Sequence, residues 1–171
     1  LLAQPTQGVD LTTAQQRAFA DAMQDQMSKV QLAQYDVKVE SAVIAGILVR
    51  IFTPQNPADP DSRNILLNVH GGGFVVDSGS MTENIPVAAL TGTKVISVLY
   101  RLAPEHPFPA AVEDVVAVYK ELLKSHPAGN IILYGTSAGA ILSAETIAAL
   151  IDLKLPPPAA MGFFSASADM S

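Results

Sequence analysis

Ile131-Ile132-Leu133-Tyr134-Gly135-Thr136-Ser137-Ala138-Gly139-Ala140 is the stretch on which the reading of the fold turns. It begins as a short apolar run, the pattern of a strand covered on both faces. It continues into an Ala-rich, helix-forming segment over 138–150. Between the two lies a G-x-S-x-G motif, Gly135 to Gly139. A strand that turns sharply into a helix needs small residues there, because a Cβ at Gly135 or Gly139 would crowd the crossing backbones. Such a turn lifts the Ser137 hydroxyl above the sheet edge, at a helix N-terminus whose amides and dipole favour negative charge. By composition alone the motif arises in about one chain of this size in twenty, so its strand-to-helix context carries the weight. The bland alternative is a serine that merely caps a helix.

Outward from this stretch the same alternation repeats. Ile65-Leu66-Leu67-Asn68-Val69 and Val95-Ile96-Ser97-Val98-Leu99 are further nearly continuous apolar runs. Between them, residues 82–91 give a weaker helix signal. Val112, Val115, Val116, Tyr119, Leu122 and Leu123 recur at helical spacing behind Pro109. Residues 35–40 and 46–53 alternate around Gly46 and predict a hairpin. Gln55 to Asp61, studded with prolines, reads as an exposed loop. Pro156-Pro157-Pro158 is a stiff connector before a last apolar strand, Ala160 to Ala166. Strands alternating with helices specify a three-layer α/β domain with right-handed crossovers. At the N-terminus, Thr13 followed by Gln16 resembles a capping box opening a helix to about Lys29. Its Phe19, Met23, Met27 and Val30 form one apolar stripe. The plainer expectation is packing on the core; the sharper one is a lid over an active site.

His70-Gly71-Gly72-Gly73 is the more specific motif, arising by chance in about one chain in a thousand. It too follows an apolar strand. Three glycines free the backbone to turn N–H groups towards a ligand oxygen, as the tetrahedral intermediate of acyl transfer requires. A flexible turn is the bland alternative. A phosphate loop would want G-x-G-x-x-G or a Lys-Ser/Thr pair, and neither is present. One motif supplies a nucleophile and the other an oxyanion site, which together indicate acyl chemistry.

His70–Gly73, Gly135–Gly139 and the segment Tyr100-Arg101-Leu102-Ala103-Pro104-Glu105-His106-Pro107-Phe108-Pro109-Ala110-Ala111 together resemble the hormone-sensitive-lipase-like (family IV) esterases of the α/β-hydrolase superfamily. The resemblance runs from about residue 35 to the C-terminus, and Thr136 marks its GTSAG branch. It implies an α/β-hydrolase three-layer sandwich with a mostly parallel central sheet, incomplete at the C-terminus. It implies Ser137 as nucleophile and the amides of Gly72, Gly73 and Ala138 as the oxyanion hole. His70 would be structural, and 100–111 a packing segment. Residues 1–34 would form an N-terminal helix and candidate lid segment, and 35–171 the first part of the catalytic domain.

A serine at its ordinary pKa needs a neighbouring base. Of three histidines, His70 belongs to the glycine loop, His106 to the packing segment, and His126 to a helix C-terminus. None follows Ser137, although the fold places its triad in the order Ser, Asp or Glu, His. Asp152 and Asp169 come too early in that order to be assigned as the triad acid. The resemblance therefore implies a longer protein in which the Met161-Gly162-Phe163-Phe164 strand does not end as an unpaired apolar edge. A C-terminal half, retained or supplied as a second chain, is the expected completion, with room for a homodimer.

The expected function is carboxylic ester hydrolysis, on short- to medium-chain acyl esters, through a serine acyl-enzyme. These 171 residues alone are expected to be inactive. The alternatives are a non-catalytic small-molecule receptor on the same fold, and a lipase or amidase of the same mechanism. No metal or cofactor is implied. The chain is 49% hydrophobic and carries a formal charge of −6, with a pI of about 4.8 and positive mean hydropathy. A nucleic-acid binder needs a basic footprint, which is missing here. Without cysteine, disulfides and thiolate chemistry are excluded. No apolar run approaches the length of a membrane span. Cytoplasmic placement is the expectation, with secretion or a periplasmic location as alternatives because Leu1-Leu2-Ala3 could be the tail of a leader.

Overall fold

The computed structural model describes residues 11–165, so Leu1–Ala3 and Asp169 lie outside the described residues. Its six-stranded sheet runs β1-β2-β4-β3-β5-β6. The strands are β1 (Val37–Ile44), β2 (Ile47–Pro54), β3 (Ile65–Val69), β4 (Lys94–Val98), β5 (Ile131–Thr136) and β6 (Ala160–Phe164). The first two form the antiparallel hairpin, β2 meets β4 antiparallel, and β3 to β6 are parallel. Four helices join them: α1 (Thr13–Gln34), α2 (Asn84–Thr91), α3 (Ala110–Leu122) and α4 (Ala138–Asp152). This is the three-layer, mostly parallel α/β architecture that the strand and helix patterns predict.

Both faces of the sheet are covered, which explains the unbroken apolar runs. Ile65, Leu67 and Val69 of β3 and Ile131 and Leu133 of β5 pack with Val115, Tyr119 and Leu142 of α3 and α4. On the opposite face Phe52, Val95 and Tyr134 pack with Ile85 and Ala88 of α2. A buried polar knot ties that second layer down. Asn68 Oδ1 accepts from Asn84 Nδ2 at 2.9 Å and from Ser97 Oγ at 2.7 Å. The Tyr134 hydroxyl donates to Asn84 Oδ1. Chain order also sets the location of the site. From β3 the chain crosses to β4 on one side, then returns to β5 on the other. The carboxyl ends of β3 and β5 therefore flank the point where strand order reverses, where open α/β sheets place their ligands.

Helix α1 departs from expectation in two ways. Its capping box is Thr12 with Gln15, one residue earlier than Thr13 with Gln16, and it runs on to Gln34. The stripe is not core: Phe19, Met23, Met27 and Val30 are 63, 43, 48 and 59% exposed. The buried face is polar instead. Gln24 donates to the Asp77 carbonyl and accepts from Met81 N–H, while Gln31 donates to the Thr82 carbonyl. The physical reason lies in residues 75–82, whose irregular backbone leaves peptide groups without ladder partners. Long amide side chains can satisfy those groups and apolar ones cannot. Phe19, Met23 and Met27 of the stripe consequently border an open groove of about 370 Å³ together with Leu11 and Val76.

At the other edge, β6 pairs with β5 alone among the described residues, and Met161, Phe163 and Phe164 remain largely exposed. Among the described residues this apolar edge is therefore open.

Candidate active site

Register brings the two motifs together. Val69 stands opposite Gly135 across the β3–β5 ladder, so the residues leaving the two strands run side by side. A Cβ on Gly71 would lie 2.8 Å from the Thr136 carbonyl oxygen and 3.4 Å from Ser137 Cβ. Gly139 is as tightly held: a Cβ there would meet the Val69 carbonyl oxygen at 2.0 Å and that of His70 at 2.6 Å. The crowding predicted at the turn is real, and it sets the first turn of α4 against the end of β3.

Ser137 sits at the tip of this turn with φ 54° and ψ −123°, a strained conformation for a residue with a side chain. Its N–H donates to the Phe164 carbonyl at 2.8 Å, so β6 braces the turn. Its carbonyl accepts from Ala140 N–H at 2.9 Å. The side chain is exposed and makes no capping bond. This is not the geometry of a serine that serves as a helix cap.

The glycine loop is held so that its N–H groups stay free. A peptide plane carries its C=O and the next N–H in opposite directions. The Gly71 carbonyl accepts from His70 Nδ1 at 2.8 Å and from Ser78 N–H at 3.3 Å, turning the Gly72 N–H the other way. The Gly72 carbonyl accepts from Val75 and Val76 at 3.0 and 3.1 Å, which does the same for Gly73. Among the described residues no acceptor takes the N–H of Gly72, Gly73 or Ala138. Position 72 needs glycine, because its φ is +118° and a Cβ there would strike the Val76 carbonyl oxygen at 2.0 Å.

His70 is buried and stacked on Tyr100, ring centroids 4.2 Å apart; the Tyr100 hydroxyl donates to the His70 carbonyl. Burial pushes the imidazole below its ordinary pKa, outweighing the nearby Asp77 carboxylate and the Gly71 bond, with Arg50 acting in the same direction as burial. It is therefore a neutral donor rather than a base. The unfolded histidine takes up a proton below about pH 6.5 that the folded one refuses, so stability is full above that pH and declines below it. His70→Asn keeps an N–H donor without a titrating group. The fall of the unfolding free energy in urea between about pH 6.5 and 5 is expected to flatten by up to about 1.4 kcal/mol per pH unit relative to wild type.

Behind the loop, Asp77 accepts from Gly79 N–H, Ser80 N–H and Arg50 at 2.8 Å, and from the Ser80 hydroxyl. Burial alone would raise this carboxyl. Attraction to His70 contributes little while that ring is neutral, so Ser80 and Arg50 hold the carboxyl below the usual carboxylate range. This anchor escaped the sequence reading, although Asp77-Ser78-Gly79-Ser80 is a side-chain-closed turn signature that could have revealed it. The Ser137 hydroxyl has no histidine partner among the described residues. His106 is exposed, and His126 lines a separate surface cavity with Arg63 and Lys94. Neither is joined to the turn.

Known proteins share this fold. A family profile described as the alpha/beta hydrolase fold covers residues 66–171. The chain is 42% identical over 118 residues to an acetyl-hydrolase of Streptomyces hygroscopicus, covering 67% of this chain and 39% of that protein. It is 34% identical over 122 residues to a versiconal hemiacetal acetate esterase of Emericella nidulans, covering 70% and 42%. The crystal structure of an esterase from the bacterial hormone-sensitive lipase family superposes with a TM-score of 0.80 at 32% identity, over 96% of this chain and 54% of that one. The chain thus spans about half the length, or somewhat less, of the proteins it matches.

Proposed function

Because this chain belongs to the α/β-hydrolase family, as one of its hormone-sensitive-lipase-like members, we propose that it is the nucleophile-bearing part of a carboxylic ester hydrolase. The observation that carries this reading is the strained, exposed, uncapped Ser137 beside a glycine loop with free N–H groups. Ser137 Oγ attacks the ester carbonyl. The N–H groups of Gly72, Gly73 and Ala138 receive the negative charge that develops on the carbonyl oxygen. A histidine beyond these residues takes the hydroxyl proton and returns it to the departing alcohol, leaving an acyl-enzyme that water hydrolyses by the reverse proton transfers. Two considerations support an external histidine: none follows Ser137, and the matched proteins are about twice as long.

The acyl group is short. In support, two matched relatives are named for acetyl or acetate substrates. The exposed stripe of α1 serves as lid surface, meeting the apolar part of the substrate across the groove it shares with Val76.

A fluorophosphonate probe tests the assignment. With the full-length polypeptide, the expected result is a single covalent adduct on the peptide containing Ser137. A folded full-length protein that takes no label there would overturn the nucleophile. The p-nitrophenyl esters of acetate through decanoate then separate a short-chain esterase from a lipase.

A further inference from the structure

Arg17 of helix α1 reaches two loops at once. Its Nε donates to the Val75 carbonyl at 2.8 Å, and its Nη2 to the Ala103 carbonyl at 2.8 Å. Glu105 closes the fork, accepting from Nη1 at 2.9 Å and from Nη2 at 2.6 Å. The two loops are also joined directly, Ala103 N–H to the Phe74 carbonyl at 2.9 Å.

What Arg17 holds matters because of the order of the peptide planes. The Val75 carbonyl and the Val76 N–H share one plane and point in opposite directions. With the carbonyl drawn to Arg17, the Val76 N–H faces the Gly72 carbonyl, to which it donates at 3.1 Å. The Gly72 carbonyl and the Gly73 N–H share the next plane. The guanidinium is thus two peptide planes from one of the N–H groups assigned to the oxyanion. The geometry points to Arg17 as a positioning residue for the oxyanion hole, resting on the hydrolase reading above. It couples the seating of α1 to transition-state stabilisation. A bidentate guanidinium suits this task where an ammonium does not, because its donors meet three acceptors in fixed directions. The peptide whose carbonyl it takes is also polarised, which strengthens the next bond along the relay.

The test uses the full-length polypeptide with p-nitrophenyl acetate and a trifluoromethyl ketone that mimics the tetrahedral intermediate. For Arg17→Gln, kcat is expected to fall about tenfold with KM within about twofold, less than the hundredfold or more of losing an oxyanion donor outright. The ketone's affinity should fall by the same factor, as expected for an interaction realised in the transition state. Lys29→Met, which removes another cation from α1 that among the described residues pairs only with exposed Asp25, should leave all three constants unchanged. Should Arg17→Gln fail to fold, Arg17→Lys carries the test, with a smaller parallel loss in kcat and ketone affinity. Unchanged kcat and ketone affinity in the folded variant would overturn the inference. So would a rise in KM alone, which would make Arg17 a substrate contact. An unlabelled, inactive wild type would instead remove the hydrolase reading and the inference with it.

Discussion

Ser137→Ala in the full-length polypeptide is expected to lower kcat for p-nitrophenyl acetate by about a million-fold, while leaving the fold intact. The substitution removes only Oγ. In the structure that atom bonds to no described residue and caps no helix, so its loss leaves no buried partner unsatisfied. The positive φ of the turn is equally available to alanine and serine, and the backbone bonds to Phe164 and Ala140 survive. Residual turnover above water would report what the glycine loop contributes without a nucleophile. Stopped assays with and without Ser137 therefore separate the two motifs. A variant that keeps more than a hundredth of wild-type kcat would show that the reaction does not pass through Ser137.

Gly139→Ala is expected to cost more stability than any other single methylene in this half of the sheet. The added Cβ would sit 2.0 Å from the Val69 carbonyl oxygen and 2.6 Å from that of His70. Both are backbone atoms at the end of β3, and moving them strains the β3–β5 ladder. Gly135 leaves α4 no route of escape, because the two backbones cross so closely that a Cβ on Gly135 would lie 2.3 Å from the Gly139 carbonyl oxygen. Overpacking against backbone of this kind costs about 3 kcal/mol or more. The urea midpoint should fall accordingly at an unchanged m-value. Gly129→Ala is the matched control: a Cβ there meets nothing within 4 Å, and its midpoint should stay within experimental scatter. Equal losses in both variants would mean that the turn from Gly135 to Gly139 is packed more loosely than these distances imply.

Much of this molecule is written locally. Continuous apolar runs name β3 and β4 to within a residue and β5 to within two, because a strand covered on both faces leaves no polar alternation to misread. The helical spacing of Val112 to Leu123 names α3 for the same reason, its apolar face being wide. Where two polarities compete, the pattern misleads. The α1 stripe has ideal spacing for a core face, yet it lies outward. The deciding partner was the loop over 75–82, whose unpaired peptide groups attract Gln24, Gln31 and Arg17 more strongly than an apolar face could. No periodicity within α1 encodes what stands opposite it.

The candidate site divides along the same line. Ser137 and the loop from His70 to Gly73 were legible because each carries a backbone requirement, small residues at a sharp turn and free rotation before a turned amide. Those requirements are local and leave a trace in residue type. The proximity of the two motifs, 64 positions apart, was fixed by the reversal of strand order at β3 and β5 and by the Val69–Gly135 register. Likewise Asp77, Arg50 and Arg17 act through partners distant in the chain, and only the folded arrangement brings them together. Sequence alone determined which chemistry the two motifs can supply, because backbone turns and nucleophile type are properties of a few adjacent residues. Tertiary structure decided how that chemistry is held: hydrogen-bond partners, burial and the direction of each peptide plane depend on groups the chain delivers from elsewhere.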